Sequence, residues 1–297
     1  MKRVDIVVAV RNEEESLPGF FVKARALHLP AGFELGYIFI EDGSTDRTRE
    51  ILREKAIEDS RIKYIFLKEG RGQAPAIALG LAHSNADAAI MMDVDGGHPL
   101  ELIPSMVSGF AEGALAVQAL RRKISKRRRY RDLGTLLFNR GYRLLTGVDT
   151  EKQNVYYRLV SQELFKELLK NNRWKHFLRI NYLGYRRTDI QYVEFDATER
   201  VLGLSKYNFR RLLRFALIAV LSSISLARFM LATFATLLIV GALVVLGAPE
   251  LWVPLVIGLI IAMIAFAKMS SKDVLTSFTI VESKGLFDEE HRGVASH

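Results

Sequence analysis

Two aspartates separated by one residue follow an apolar run and could bind a divalent metal ion. Asp93 and Asp95 flank Val94 and come directly after the run 88–92, which has the composition of a buried strand. Carboxylate oxygens are the ligands that Mg²⁺ and Mn²⁺ prefer, and a substrate diphosphate can supply further oxygens. Acidic pairs at strand ends also act as solvated loops or helix caps, so this spacing alone leaves both interpretations open.

Two further polar loops follow apolar runs nearer the amino terminus. Arg11-Asn12-Glu13-Glu14 follows the run 4–10, and Glu41-Asp42-Gly43-Ser44-Thr45-Asp46 follows the run 37–41. The Asp42 carboxylate could accept hydrogen bonds from a nucleobase. The same residue types also make a turn that leads into a helix cap.

These loops lie between segments that alternate between the residue pattern of a strand and that of a helix. The predicted strands are 4–10, 37–41, 63–67, 88–93, 115–119 and 190–195. Helices are predicted from the cap residues Ser44, Thr45 and Asp46 to about residue 58, around Pro75 to about residue 83, and in helical patterns to about residue 179. This alternation predicts an α/β fold with a mostly parallel sheet, in which the three loops meet at one edge.

Taken in order, the three loops resemble the pattern of glycosyltransferase family 2. The family carries an N-E-E loop, a D-D-G-S-x-D loop and a later M-D-x-D, and this sequence has Asn12-Glu13-Glu14, Glu41-Asp42-Gly43-Ser44-Thr45-Asp46 and Met92-Asp93-Val94-Asp95. Over residues 1–270 the chain is similar to the polyprenyl-phosphate sugar synthases, such as dolichol-phosphate mannose synthase. The resemblance implies an α/β GT-A (Rossmann-like mixed sheet) catalytic domain, then interfacial helices and a two-helix transmembrane hairpin.

The resemblance also implies a role for particular residues. The nucleoside pocket would be lined by Glu13, Asp42 and the backbone at Ala9, Arg11 and Ile40. The metal and diphosphate would lie at Asp93, Val94 and Asp95, with the two aspartates as metal ligands. The cations that contact the donor diphosphate or the lipid phosphate would be Arg121 and, from the motif Arg200-x-x-Gly203-x-Ser205-Lys206-Tyr207, Arg200 and Lys206. A metal and such cations would stabilise the charge that grows on a leaving diphosphate.

Two positions depart from the family pattern. Gly97 stands where relatives have a polar residue, so a third metal ligand is missing there, and His98 is the substitute to consider. Tyr156 stands where the G-D-F-R motif of relatives places a proposed base aspartate, and Arg158 is a candidate phosphate contact. A phosphomonoester with a second pKa of about 6 is already an anionic nucleophile at neutral pH, so no general base is required.

The segment 229–267 predicts a membrane hairpin, because Glu250 is its only charged residue. Its halves, 229–248 and 251–267, flank a turn. About 20 residues at about 1.5 Å each cover a hydrocarbon core of roughly 30 Å. Neither half has a polar face, which disfavours a buried helical pair in a soluble core. Lys and Arg crowd both flanks, so both ends are expected in the cytoplasm.

The predicted organisation has four parts. They are a cytoplasmic GT-A domain over 1–207, interfacial amphipathic helices over 208–228, the hairpin over 229–267 and a cytoplasmic tail over 268–297. The amino terminus begins on a strand without a signal-peptide pattern, so the first two hundred residues are expected to stay in the cytoplasm. With the hairpin, this predicts a multi-pass protein of the cytoplasmic membrane. Zero cysteines exclude disulfides and thiolate metal sites. A β-like stretch at 277–281 leaves open a strand exchange between subunits, and so a homo-oligomer.

Together these features predict a metal-dependent hexosyltransferase. It would transfer a hexose, with inversion, from a nucleotide-diphosphate sugar to undecaprenyl or dolichyl phosphate, using Mg²⁺ or Mn²⁺. A UDP-sugar donor is favoured, with GDP-mannose as the other choice. The net charge of +9 fits phosphorylated substrates and anionic lipid, and no nucleic-acid partner is expected.

Two other functions stay open. One is a processive polysaccharide synthase, because Lys170-x-x-Arg173-Trp174 resembles part of the Q-x-x-R-W motif of those enzymes. The other is a non-catalytic membrane scaffold that binds nucleotide sugar, which the departures at Gly97 and Tyr156 would fit.

Overall fold

The computed structural model describes residues 1–121, 140–144, 156–170, 190–195, 220–221, 224, 226–247, 249–271, 275 and 278–286. Strands and helices alternate over the first part, as predicted. In chain order they are β1 (Lys2–Val10), α1 (Leu17–Arg25), β2 (Phe33–Glu41), α2 (Thr48–Glu58), β3 (Ile62–Leu67), α3 (Gln73–Ala82), β4 (Ala88–Met91), a 3₁₀ turn (Leu100–Leu102), α4 (Ile103–Ala111) and β5 (Ala116–Arg121). The later elements are β6 (Arg158–Ser161), α5 (Gln162–Lys170), β7 (Ile190–Phe195), α6 (Leu226–Val245), α7 (Pro249–Ser271) and β8 (Ile280–Lys284).

The strands form one eight-stranded mixed sheet in the order β7-β5-β6-β4-β1-β2-β3-β8. β1 pairs in parallel with β2 and β4, and β2 pairs in parallel with β3. The helical interpretation was wrong over Arg158–Ser161, where β6 runs antiparallel between β4 and β5. All four residues of β6 are buried, so the alternation that marks a half-exposed strand is missing.

Helices cover both faces of the sheet. On β2, Phe39 packs with Phe20 of α1 on one face, and the next residue, Ile40, packs with Ile77 of α3 on the other. This alternation is the two-residue period of a strand that is buried on both sides. The packing fixes the strand ends, and so it fixes the loops that carry the polar clusters.

Gly36 on β2 faces an ion pair between the partly exposed Arg3 and the buried Asp5, at the opposite end of the sheet from those loops. Asp5, its register partner on β1, is 2% exposed, and it binds Arg3 Nε at 2.8 Å and accepts the Ser84 hydroxyl at 2.7 Å. A Cβ on Gly36 would overlap the Asp5 carboxylate and the Arg3 guanidinium. Breaking a buried pair or overpacking a core is costly.

We expect Gly36→Ala to lower the free energy of unfolding by about 2 kcal/mol. Gly19→Ala on α1 is the matched control, because a Cβ there meets nothing within 4 Å. The control should be neutral or stabilising by about 0.5–1 kcal/mol. Denaturant unfolding of both full-length variants measures the difference, and equal effects would show that the pair tolerates the methyl group.

The two apolar segments form the helices α6 and α7, which are long and apolar enough to cross a membrane. Within the spans Leu226–Val245 and Glu250–Lys268, 0% and 6% of residues are buried inside the protein. Among the described residues, this exposure does not fit the buried helical pair of a soluble core. The rings of Phe229 and Phe266 stack between the two helices, with centroids 4.1 Å apart. Most of the predicted interfacial segment 208–228 lies outside the described residues.

Candidate active site

The loops after β1 and β2 are joined through Asn12. Its backbone N–H donates to Ser44 Oγ at 2.9 Å, and its side-chain oxygen accepts the Thr45 N–H at 2.9 Å. Asn12 has a φ of 55°, in the left-handed region that asparagine tolerates better than most residues. The two hydrogen bonds offset the strain of that conformation and hold the loops at one edge of the sheet.

The same two loops meet again at the start of α2. Thr48 Oγ1 accepts the Glu13 N–H at 2.9 Å. Asp46 accepts the Thr48 N–H at 3.0 Å and the Glu14 N–H at 3.2 Å. Of the three predicted cap residues, Asp46 therefore satisfies the helix end, whereas Ser44 and Thr45 bind the Asn12 loop.

Asp42 holds the loop that follows β3. It is 4% exposed, and its two oxygens accept the backbone N–H groups of Arg71 at 2.7 Å and Gly72 at 2.9 Å. Burial raises the pKa of Asp42, against the lowering effect of those two donors. Beside it, Gly43 has a φ of 73°, and a Cβ there would lie 2.7 Å from the Gly70 nitrogen. The sequence motif thus brings the loops after β2 and β3 into direct backbone contact.

Glu41 is a buried anchor of this corner. It is 0% exposed, accepts the Ser44 N–H and pairs with Arg49 Nε at 2.5 Å. Arg49 in turn donates to the carbonyl of Leu67, the last residue of β3, at 2.6 Å. The ends of β2 and β3 are therefore tied together by an ion pair as well as by the sheet.

The two metal-ligand candidates lie beside this corner. β4 ends at Met91, two residues earlier than predicted, so both aspartates belong to the loop. Gln73 donates to Asp93 Oδ1 at 2.5 Å, and Asp95 Oδ1 accepts the Gly97 N–H at 3.0 Å. Val94 between them is buried in the core. Gly72 donates to Asp42, and the next residue, Gln73, donates to Asp93. These two consecutive residues therefore link the two aspartates.

The His98 ring is held in place by contacts with neighbouring residues. Its Nδ1 accepts the Asp93 N–H at 2.8 Å, and its ring stacks on Tyr157 with centroids 5.0 Å apart. Across the described residues, no group of three or more His, Cys, Asp or Glu side chains could hold a metal. The candidate metal ligands here are the predicted pair Asp93 and Asp95. Two carboxylates fit Mg²⁺ or Mn²⁺, which bind proteins through few side chains and take substrate phosphates and waters as their other ligands.

Tyr156 and Arg158 are both buried. Tyr156 is 5% exposed, and its hydroxyl lies 3.9 Å from Met91 Sδ. Arg158 is 0% exposed, and its guanidinium lies 5.3 Å from the Tyr156 ring centroid. The phosphate contact expected of Arg158 stays a prediction.

The remaining predicted site residues fall into four groups. Ala9 and Ile40 are register partners on β1 and β2, and the buried Ile40 can offer only its backbone to a ligand. Arg11 is exposed and lies against Gly70. Arg121 is the last residue of β5. Arg200 and Lys206 lie outside the described residues.

The sequence interpretation missed the loop after β3. The backbone of Arg71 and Gly72 and the side chain of Gln73 join the two acidic clusters. The available signal was the pair of glycines in Gly70-Arg71-Gly72, between a strand and a helix start, since such loops let backbone N–H groups approach an anion.

This mixed sheet, with acidic loops at the ends of its strands, has the GT-A fold. The crystal structure of mannosyl-3-phosphoglycerate synthase from Rubrobacter xylanophilus has this fold. It superposes with a TM-score of 0.52 at 17% identity, over 75% of this chain and 73% of that chain.

Sequence comparison identifies the family. Residues 5–169 match the family model described as glycosyl transferase family 2. Bactoprenol glucosyl transferase of Shigella phage SfX is 33% identical over 220 residues, 72% of this chain and 70% of its own. Undecaprenyl-phosphate 4-deoxy-4-formamido-L-arabinose transferase of Shewanella sediminis is 32% identical over 213 residues, 71% of this chain and 63% of its own. This chain belongs to glycosyltransferase family 2, as the three loops predicted.

Proposed function

We propose that this enzyme transfers a hexose from a nucleotide-diphosphate sugar to a polyprenyl phosphate at the cytoplasmic face of a membrane. The observation that carries the proposal is the junction of Asp42, Gln73 and Asp93 at one sheet edge, in a chain with two apolar helices. Relatives named for bactoprenol and undecaprenyl-phosphate transfer support the lipid acceptor.

The donor would lie across the loops after β1, β2 and β3. The nucleoside would contact Glu13, the loop that Asp42 holds, and the backbone at Ala9, Arg11 and Ile40. A UDP-sugar is the favoured donor and GDP-mannose the alternative. The donor diphosphate and the lipid phosphate would be bound by Arg121, Arg200 and Lys206.

Asp93 and Asp95 would hold a Mg²⁺ or Mn²⁺ ion against the diphosphate. When bound, such an ion stabilises the negative charge of the leaving diphosphate. Gln73 orients the Asp93 carboxylate, and the Gly97 N–H orients that of Asp95.

In the reaction, an oxygen of the lipid phosphate attacks the anomeric carbon. The bond from that carbon to the donor diphosphate breaks, the diphosphate leaves with the electron pair, and the configuration inverts. The phosphate is largely ionised at neutral pH, with a second pKa of about 6, so the step needs no side-chain base. The buried Tyr156, in place of an aspartate, is compatible with this route.

The hairpin would keep this site at the membrane. In the proposed arrangement, the GT-A domain spans 1–207, interfacial helices span 208–228, and α6 and α7 cross the cytoplasmic membrane. Arg228 in the first turn of α6 and Lys268 in the last turn of α7 lie at the helix ends expected to face the cytoplasm. The tail 268–297 would then return to the cytoplasmic domain.

A panel of radiolabelled nucleotide sugars tests the proposal. Membranes containing the protein are incubated with each donor, and the lipids are extracted. We expect a labelled lipid that mild acid hydrolyses, formed with one donor of the panel. Label in a polymer would favour a processive synthase, and no label with any donor would favour a scaffold. The residues 171–174, which raised the processive alternative, lie outside the described residues.

A further inference from the structure

The chain returns to the catalytic sheet after the hairpin. β8 pairs antiparallel with β3 at the sheet edge. Six residues, 272–277, separate α7 from the described stretch 278–286, and they can span at most about 25 Å. The edge of the sheet beside β3 is therefore held close to the end of the hairpin.

A β-bulge lets β8 bind both faces of the sheet. Phe66 pairs with Glu282 and Leu67 pairs with Ile280, so Val281 is the extra residue between them. Ile280 packs on the side of α3, whereas Glu282 reaches the side of α2. In a regular strand without a bulge, residues 280 and 282 would be two apart and would lie on one face.

Glu282 makes the main polar contacts of β8. It accepts two hydrogen bonds from Arg53 of α2, at 2.6 and 3.0 Å, and the Tyr64 hydroxyl of β3 at 2.6 Å. The hydrogen bonds from Arg53 hold the pKa of Glu282 below its usual range. Two residues on, the Lys284 ammonium donates to the carbonyl of Ala56 in the last turn of α2, where a cation is favourable.

These contacts lead directly to the donor corner. The carbonyl of Thr279 accepts the N–H of Lys68 at 2.9 Å. Lys68 begins the loop whose Arg71 and Gly72 N–H groups bind Asp42. α2, which Glu282 and Lys284 hold from one side, begins at Thr48, the acceptor of the Glu13 N–H. β8 therefore contacts both elements that flank the proposed nucleoside pocket.

We infer that Glu282 of β8 is a positioning residue for nucleotide-sugar binding, acting through β3 and α2 of the same chain. The inference rests on the proposed donor pocket. It assigns a function to the segment after the hairpin. In this arrangement β8 connects the membrane hairpin to the elements that shape the nucleoside pocket.

The test uses the full-length protein with Glu282→Ala, Glu282→Gln and the control Val281→Thr. Val281 lies on the same strand, is 57% exposed and is replaced by another β-branched residue. For Glu282→Ala we expect the KM for the nucleotide sugar to rise about tenfold and kcat to change less than about twofold. Glu282→Gln keeps an acceptor and should show an intermediate KM, whereas the control should match the unmodified protein.

Hydrogen exchange without ligand separates this inference from the proposed activity. The amides of residues 68–72 should exchange faster in Glu282→Ala than in Val281→Thr. Faster exchange in β8 with no change at 68–72 would overturn the inference, because Glu282 would then hold only its own strand. This result would stand even if no sugar transfer were found.

A disulfide tests whether β8 pairs within its own chain. Ile65 and Ser283 are register partners, and antiparallel partners lie about 4.5–5.5 Å apart at Cα, within disulfide range. The chain has no cysteine, so Ile65→Cys with Ser283→Cys gives a clean background. Oxidation should give a cross-linked monomer. A covalent dimer would show that the strand comes from a second copy and would overturn the pairing proposed here.

Discussion

Replacing Asp95 with asparagine is expected to lower turnover by about a thousandfold, the scale on which a group that stabilises transition-state charge acts. Asparagine keeps an oxygen that can accept the Gly97 N–H, so the loop should hold its shape. It removes the negative charge that a divalent ion needs. Asp95 is exposed, so we expect the free energy of unfolding to change by less than about 0.5 kcal/mol.

The control for this variant is Glu54→Gln, which removes one negative charge from the exposed face of α2. Initial rates with purified protein, saturating donor and a range of Mg²⁺ and Mn²⁺ concentrations measure the effect. Turnover of Asp95→Asn within about tenfold of the unmodified protein would remove Asp95 from the proposed metal site, because loss of a true ligand costs more.

Replacing Asp42 with alanine should weaken nucleotide binding by roughly 30- to 100-fold, because the loss leaves two backbone donors without their acceptor and releases the loop. Those donors are the N–H groups of Arg71 and Gly72. The free energy of unfolding should fall by about 2–3 kcal/mol for the same reason. Titration calorimetry with UDP and with GDP, and denaturant unfolding, measure the two effects. Unchanged affinity for both nucleotides would show that this loop does not line the donor pocket.

The titration of Asp42 should also make the free energy of unfolding depend on pH. Because burial raises its pKa above the ordinary 3.8, the folded protein binds that proton more tightly than the unfolded chain does. Its contribution to stability therefore falls as the pH rises from 3.8 through the folded pKa. Asp42→Asn removes this titration. The free energy of unfolding of Asp42→Asn, measured relative to that of the unmodified protein, should therefore rise over that pH interval. A difference independent of pH would contradict the assigned environment.

The meeting of the acidic loops could be predicted because it follows from local patterns. Each of the three loops ends an apolar strand, and parallel strands end at one edge. The hairpin was equally predictable, since length and apolar composition decide it. The partner of Asp42 could not be predicted in this way. Backbone N–H groups of Arg71 and Gly72 are present in any sequence, and only the fold brings them to the carboxylate.

The antiparallel strands show a second limit of sequence interpretation. β6 and β8 are short, and each pairs with a strand far away in the sequence. β6 begins with the charged Arg158, which hides its burial. For β8 the predicted stretch 277–281 and the observed Ile280–Lys284 overlap only in part, and a bulge lies where they overlap.

The central claim is the transfer of one sugar to a lipid phosphate, and the mass of the product tests it most directly. Purified full-length protein in lipid nanodiscs is incubated with the selected nucleotide sugar, Mg²⁺ and polyprenyl phosphate, and the lipids are analysed by mass spectrometry. We predict a polyprenyl phosphate heavier by one hexose unit, formed in step with released nucleoside diphosphate. An unchanged lipid, or a ladder of several hexose units, would contradict the account.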